Sequence, residues 1–328
     1  MNILWIKDGK QGHEKQVKVL IDELSKSVDI NLIEENYKIN NLSRLKNYYH
    51  YLTNNFFNKA VEFIKLMNKC NQNNIDCVIG AGSSVHMRML LIKSYFKNKH
   101  QKDISLVSVL VPSLFHKNFS VICAPLHDDK KLTDNENIIY FEGSLAKVSI
   151  KDIDENIGLI ALGGLNKHYD FDEEDLLKQI QYILTLYPQK KWFLFISRRT
   201  PSYITEEISK LKNEFSNLII TDKDFDEVIE KASIKFITQD SVNMVYEALS
   251  TKGKTYLFNM NYKKENKITR QMNLLITNKQ IGYIEKINIA EGLEKIKIQS
   301  QNPYHEVFSE VEKVAYQLIK KLNLNSAK

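Results

Sequence analysis

At 328 residues the chain exceeds what one hydrophobic core usually spans, which predicts two domains. Apolar residues make up 43% and charged residues 26%, excluding a disordered or fibrous chain, and 46 Lys and Arg against 40 Asp and Glu leave a net charge of +6. That mild excess favours anionic partners such as phosphates or an acidic lipid surface, but the basic residues are dispersed among acidic ones, without an RNA-binding aromatic motif or zinc-finger spacing, so nucleic acid is not an expected partner.

The opening MNILWIKD runs directly into a strand, with no basic segment ahead of a long apolar one, and no stretch approaches 18 apolar residues, so no secretion signal or membrane span is expected. Cys70, Cys77 and Cys123 are odd in number and lack a CxxC spacing; free thiols in a reducing, cytoplasmic compartment follow as the expectation.

Short apolar runs bounded by turn residues alternate with segments of helical period, the alternation that makes parallel sheets flanked by helices. Strands are predicted at Ile3–Ile6, Asn31–Ile33, Cys77–Ile79, Leu106–Val111, Val121–Cys123 and Ile138–Phe141. The polar stretch Ser149–Asn156 reads as a boundary, giving domains of 1–150 and 151–328. Beyond it come predicted strands at Leu159–Leu162, Trp192–Ile196, Leu218–Ile220, Lys235–Thr238 and Thr255–Phe258, with helices such as Glu173–Leu186, Tyr203–Phe215 and Val242–Ser250. Asn302–Leu322 starts with Asn and Pro, as a helix start does, and predicts a terminal helix. The expected architecture is α/β: two Rossmann-like domains with a cleft between them and a C-terminal helix. Tyr48–Met67 interleaves aromatics with lysines, which suits peripheral contact with an anionic membrane as well as a core-facing helix.

Candidate chemistry collects where predicted strands end. Asp8, Gly9, Lys10, Gly12 and His13 follow the first strand and precede a helix from Glu14; such a loop suits an anion or a reacting oxygen. His13 can accept a proton from an acceptor hydroxyl; alternatively Asp8 is the base and His13 binds phosphate. Ser83 and Ser84 follow the third strand, where either would cap the next helix. His127 and Asp128 follow a strand and are read as positioning residues, since one short cluster lacks the further ligands a closed metal site needs.

In the second half Gly163 and Gly164 form a turn that would let a diphosphate lie against main-chain N–H groups. Asp170, Asp172 and Glu173 read as helix capping rather than a metal motif. Ser197, Arg198 and Arg199 close the next strand, and the guanidinium fork suits a diphosphate leaving group. Asp240 and Ser241 are placed to cap a helix carrying Met244 and Glu247, whose carboxylate could bind a ribose diol.

Taken in order, DGKQGH, GAGSSVHMR, APLHDD, EGSL, LGGLNKHYDF, SRRTP and TQDSVNMVYEA resemble the mitochondrial-fission Elm family over most of residues 1–260, with SRRTP and the DSVxMxxEA pattern the specific parts. The resemblance implies a GT-B fold like that of glycosyltransferases, with His13 facing the acceptor. Gly163, Gly164, Ser197, Arg198, Arg199, Asp240, Ser241, Met244 and Glu247 would then hold the nucleotide of a sugar donor. It departs from the pattern at GGLNKH, where GGP is expected.

The implied reaction moves a sugar from a nucleotide-diphosphate donor to a cell-envelope glycan, such as lipopolysaccharide, or to a lipid-linked acceptor. No metal or cofactor beyond the nucleotide-sugar donor is expected. Two other classes compete: a scaffold that recruits a partner, as plant members of the family do, and a nucleotide-sugar epimerase using His13 and His127 as opposed acid and base.

Overall fold

The computed structural model describes residues 1–37, 41–53, 61–131, 137–290, 293–303 and 306–324. Two compact units emerge: Met1–Ala146 with Glu310–Lys328, and Lys147–Ser309.

In the first unit β1 (Asn2–Lys7) is followed by α1 (Gln11–Ser25), β2 (Asn31–Asn36), α2 (Asn41–Thr53), α3 (Val61–Gln72), β3 (Cys77–Ala81), α4 (Ser83–His100), β4 (Ser105–Val109), β5 (Val121–Pro125) and β6 (Ile138–Phe141). The interior residues of β1 and every residue of β3 and β5 are buried, as expected of strands covered on both faces. All six strands run parallel in the order β2-β1-β3-β4-β5-β6. The chain leaves β1 to one side and then crosses to the other, so the carboxyl ends of β1 and β3 flank the point where the winding reverses, the place where open sheets of this kind bind ligands.

The second unit continues with β7 (Asp154–Leu162), α5 (Glu173–Leu186), β8 (Lys191–Ile196), α6 (Ser202–Glu214), β9 (Leu218–Ile220), α7 (Phe225–Lys231), β10 (Ala232–Ile237), α8 (Val242–Leu249), β11 (Lys254–Leu257), α9 (Lys267–Thr277), β12 (Gly282–Ala290) and β13 (Leu293–Gln299). Its order, β13-β12-β11-β10-β7-β8-β9, is parallel except for the antiparallel pair β12 and β13. Counted from its own first strand this is the dinucleotide-binding order, with the reversal between β7 and β10. Leu176, Ile180, Ile204 and Ile208 of α5 and α6 bury one face of the sheet, and Val228, Val245 and Met272 of α7, α8 and α9 bury the other.

Several expectations are corrected. The strand predicted through Val111 stops at Val109, because Leu110 turns to φ +77°. The terminal helix α10 (Glu310–Lys321) starts eight residues after Asn302: Asn302 N–H is already bonded to Lys279 O and Phe308 N–H to Leu249 O. That helix, which sequence order attaches to the second half, buries Val311, Val314 and Leu318 in the first unit, where Glu310 Oε2 accepts Glu142 N–H at 2.7 Å. The hairpin β12–β13 was not anticipated. Of the aromatic stretch, residues 54–60 lie outside the described residues. Among the described residues no helix is long and apolar enough to cross a membrane.

Lys235 on β10 is fully buried, and its Nζ donates to Ala248 O at 2.8 Å, Thr251 Oγ1 at 2.6 Å and Lys252 O at 2.7 Å, neutralising the carboxyl end of α8. Burial pulls its amine down to about 7. The unfolded chain holds that proton to about 10.4, so between these values the unfolded state binds more protons and stability rises with pH. Lys235→Met is expected to flatten this rise, which urea unfolding at several pH values across the window would show.

Candidate functional site

At the reversal point of the first sheet the Asp8 side chain has no exposed surface. Its Oδ2 accepts His13 Nδ1–H at 2.8 Å and the Ser84 hydroxyl at 3.0 Å, and its Oδ1 accepts Lys10 N–H at 3.0 Å. Burial alone would raise its pKa, but the hydrogen bonds from His13, Lys10 and Ser84 outweigh it and hold the carboxyl below its ordinary value. An ionised carboxylate only accepts, so Nδ1 of His13 carries a proton, and in the neutral imidazole the lone pair lies on Nε2. The two residues weighed as alternative bases thus form one hydrogen-bonded unit, in which the buried Asp8 carboxylate orients the His13 imidazole.

Local geometry differs from the sequence expectation in two places. Gly12 and His13 lie inside the first turn of α1, not ahead of it, and Gly9 N–H is bonded to Glu14 Oε1 at 2.9 Å. Gly82, at φ +86°, takes the cap position of α4, so Ser83 and Ser84 sit in its first turn and neither caps it. A Cβ on Gly82 would lie 2.5 Å from His13 Nδ1 and 3.0 Å from Asp8 Oδ2, so glycine is what lets β3 close on the pair.

Behind this pair His86, 3% exposed, carries a proton on Nε2, because it bonds Ser108 Oγ at 2.7 Å while that hydroxyl donates to Leu110 O at 2.6 Å. Burial lowers its pKa to about 3. Sequence reasoning passed over His86, since only the fold brings it to Ser108. His127 and Asp128 follow β5 in a short 3-10 helix, Leu126–Lys131. Three strand spacings, roughly 14 Å of backbone, separate β5 from β1 in the sheet.

In the second unit the glycine turn does not offer its N–H groups to a diphosphate. Gly163 N–H donates to Thr238 Oγ1 at 2.7 Å, Gly164 N–H to Asp240 Oδ2 at 3.0 Å and Leu165 N–H to Arg199 O at 3.0 Å. Ser197 Oγ donates to Gly163 O at 2.9 Å, and the Thr200 hydroxyl bonds the same carbonyl. Asp240 is likewise turned inward: burial raises its pKa, offset in part by Gly164 N–H, the Thr238 hydroxyl and Arg199. Ser241 occupies the cap position of α8 without a side-chain bond to it, so neither Asp240 nor Ser241 caps the helix.

Arg198 and Arg199 are exposed, whereas Val242, Asn243 and Met244 in the first turn of α8, and Glu247 beyond it, are half-buried. Asp172 caps α5 by accepting Asp175 N–H at 3.0 Å, as the acidic run implied. Among the described residues no group of three or more His, Cys, Asp or Glu is arranged to hold a metal ion.

A family model described as mitochondrial fission ELM1 matches residues 11–322. An uncharacterized protein of Rickettsia prowazekii (strain Madrid E) is 23% identical over 357 residues, covering 90% of this chain and 97% of that one. Among solved structures, UDP-GlcNAc 2-epimerase from Methanocaldococcus jannaschii superposes with a TM-score of 0.51 at 13% identity, covering 98% of this chain and all of that one. E. coli ADP-heptose LPS heptosyltransferase II also gives 0.51, at 11% identity, covering 98% and 99%. At such identities the likeness shows the fold, and the fold is that of GT-B proteins: two α/β domains, each built on a mainly parallel sheet. With the model matching nearly its whole length, the chain belongs to the mitochondrial fission ELM1 family.

Proposed function

We propose that the protein is a metal-independent GT-B glycosyltransferase that moves a sugar from a nucleotide-diphosphate donor to a hydroxyl of a cell-envelope glycan or lipid-linked acceptor, working in the cytoplasm or at the inner face of the membrane. The observation that carries this reading is the Asp8–His13 pair, a base whose tautomer is set by a buried carboxylate at the reversal point of the first sheet. His13 Nε2 takes the proton of the acceptor hydroxyl as the acceptor oxygen bonds the anomeric carbon. The bond from that carbon to the diphosphate breaks, and its electron pair leaves with the nucleoside diphosphate.

Charge on that leaving group is met in the second unit by Arg198, Arg199 and the first turn of α8, whose cap residue makes no side-chain bond. Glu247, on the same helix, binds the ribose diol, and Met244 lies along the nucleoside. Two structural relatives of equal TM-score are named for UDP-GlcNAc and ADP-heptose chemistry, which supports a nucleotide-sugar donor without choosing the reaction. Transfer is favoured over epimerisation because the pair supplies one base, while the strand that leads to His127 stands three places along the sheet.

Calorimetry of the full chain against UDP, ADP, GDP and CDP tests the reading. Binding by at least one is expected, weakened about tenfold by Glu247→Ala, the loss of one charge-assisted hydrogen-bond partner. If none of the four binds, the chain is not a nucleotide-sugar enzyme.

A further inference from the structure

Asp240 has no exposed side-chain surface, so a ligand resting on the second unit cannot touch it. Yet three loops meet on its carboxylate. Oδ2 accepts Gly164 N–H from the loop after β7 and, at 3.3 Å, Nη2 of Arg199 from the loop after β8, while Asp240 itself follows β10. The contact is close: a Cβ on Gly163 would stand 2.1 Å from Oδ1. Arg199, by contrast, is 48% exposed.

The chemistry of the partners separates two roles for this carboxylate. Holding Gly164 N–H takes only an acceptor, and a neutral amide oxygen would serve. A buried charge is a costly way to make that bond unless a cation needs it, and the cation beside it is Arg199. Tyr169, also buried, adds no positive charge; its hydroxyl is pushed up by burial and then by the Asp240 carboxylate itself. The ion pair is therefore oriented, with its negative end sealed inside the sheet edge and its positive end turned to solvent. A guanidinium with several rotatable bonds is thereby held in one place before any anion arrives, and the ordering that binding would otherwise require is already met in the fold.

We propose that Asp240 is a positioning residue for a diphosphate subsite of the second unit: it presents the Arg199 guanidinium to the diphosphate of a nucleotide without touching the ligand. The inference rests on the nucleotide-sugar reading and names the group that makes its anion site. It also reverses the simplest electrostatic expectation, under which removing a carboxylate near an anion site tightens anion binding.

The test is calorimetry of UDP and ADP on the full chain in wild type, Asp240→Asn, Arg199→Ala and the double variant, with thermal melts alongside. The asparagine keeps an acceptor for Gly164 N–H. Each single variant is expected to weaken binding about tenfold, the size of one charge-assisted contact, and the double variant to bind no more weakly than Arg199→Ala alone. Unchanged or tighter binding by Asp240→Asn, or losses that multiply in the double variant, would show a counter-ion or a general structural role and overturn the proposal. Should Asp240→Asn not fold, Arg199→Lys takes its place, since lysine keeps the charge but loses the planar fork; wild-type affinity in that variant overturns the proposal equally. Failure of the wild type to bind either nucleotide, or GDP or CDP in their place, removes the nucleotide-sugar reading and this inference with it, whereas wild-type binding that the variants leave intact removes the inference alone.

Discussion

Asp8→Asn is expected to lower the rate of sugar transfer by about 10²- to 10⁴-fold, the range for loss of a positioned proton acceptor, with little change in donor affinity. Three donors converge on this carboxylate: His13 Nδ1–H and the Ser84 hydroxyl on one oxygen, Lys10 N–H on the other. An asparagine has one oxygen to offer. With its amide nitrogen toward Lys10 N–H, two donors face each other. With it toward His13, the imidazole must present a bare Nδ1 and carry its proton on Nε2, the nitrogen that has to be empty to accept one. The second arrangement takes the proton acceptor away outright, and the first keeps the tautomer but breaks the Lys10 contact and removes the charge that stabilises the imidazolium, although the residue changes by a single atom type. Turnover with a donor and acceptor in hand, or burst-phase release of nucleoside diphosphate, measures the effect; a rate within threefold of wild type would remove the pair from the mechanism.

The second large effect is on the fold. Gly164→Ala should destabilise the second unit by about 3 kcal/mol, an overpacking cost at a site that cannot relax. The added methyl would sit 2.1 Å from the backbone carbonyl of Arg199 and 2.5 Å from Thr200 N. Those atoms belong to a loop already tied by Leu165 N–H to Arg199 O, Thr200 N–H to Ser197 O and the Ser197 hydroxyl to Gly163 O, so no flexible side chain can give way. At roughly 2–4 °C per kcal/mol for a unit of this size, the melting transition falls by ~9 °C. Calorimetric melts check this, and a shift below 2 °C would mean that the loop moves freely.

How much of this was legible in the residues differs from element to element. Strands such as Cys77–Ile79 and Val121–Cys123 announce themselves because a strand buried on both faces is apolar throughout, bounded by turn residues. Helix starts were misread where a side chain had other work: Ser84 looks like a cap but spends its hydroxyl on Asp8, and Asp240 looks like a cap but faces Gly164 and Arg199. Local pattern cannot register a partner 76 residues away. The same holds for the glycine turn, whose N–H groups are consumed by Thr238 and Asp240, residues that sequence order places far downstream. Gly282–Ala290 and Leu293–Gln299 mix charged and apolar residues in a solvent-facing hairpin, so they lack the continuous apolar run that marked the other strands.

One further consequence concerns the order in which a growing chain can settle. The first unit is interrupted: residues 147–309 are spelled out between β6 and the helix α10 that covers α1 and β6. The interrupting unit has all its strands once β13 has been made. Its predecessor, begun first, must wait for Val311, Val314 and Leu318 before the parts of α1 and β6 that α10 covers are shielded, so during synthesis the unit begun first is the last to be finished.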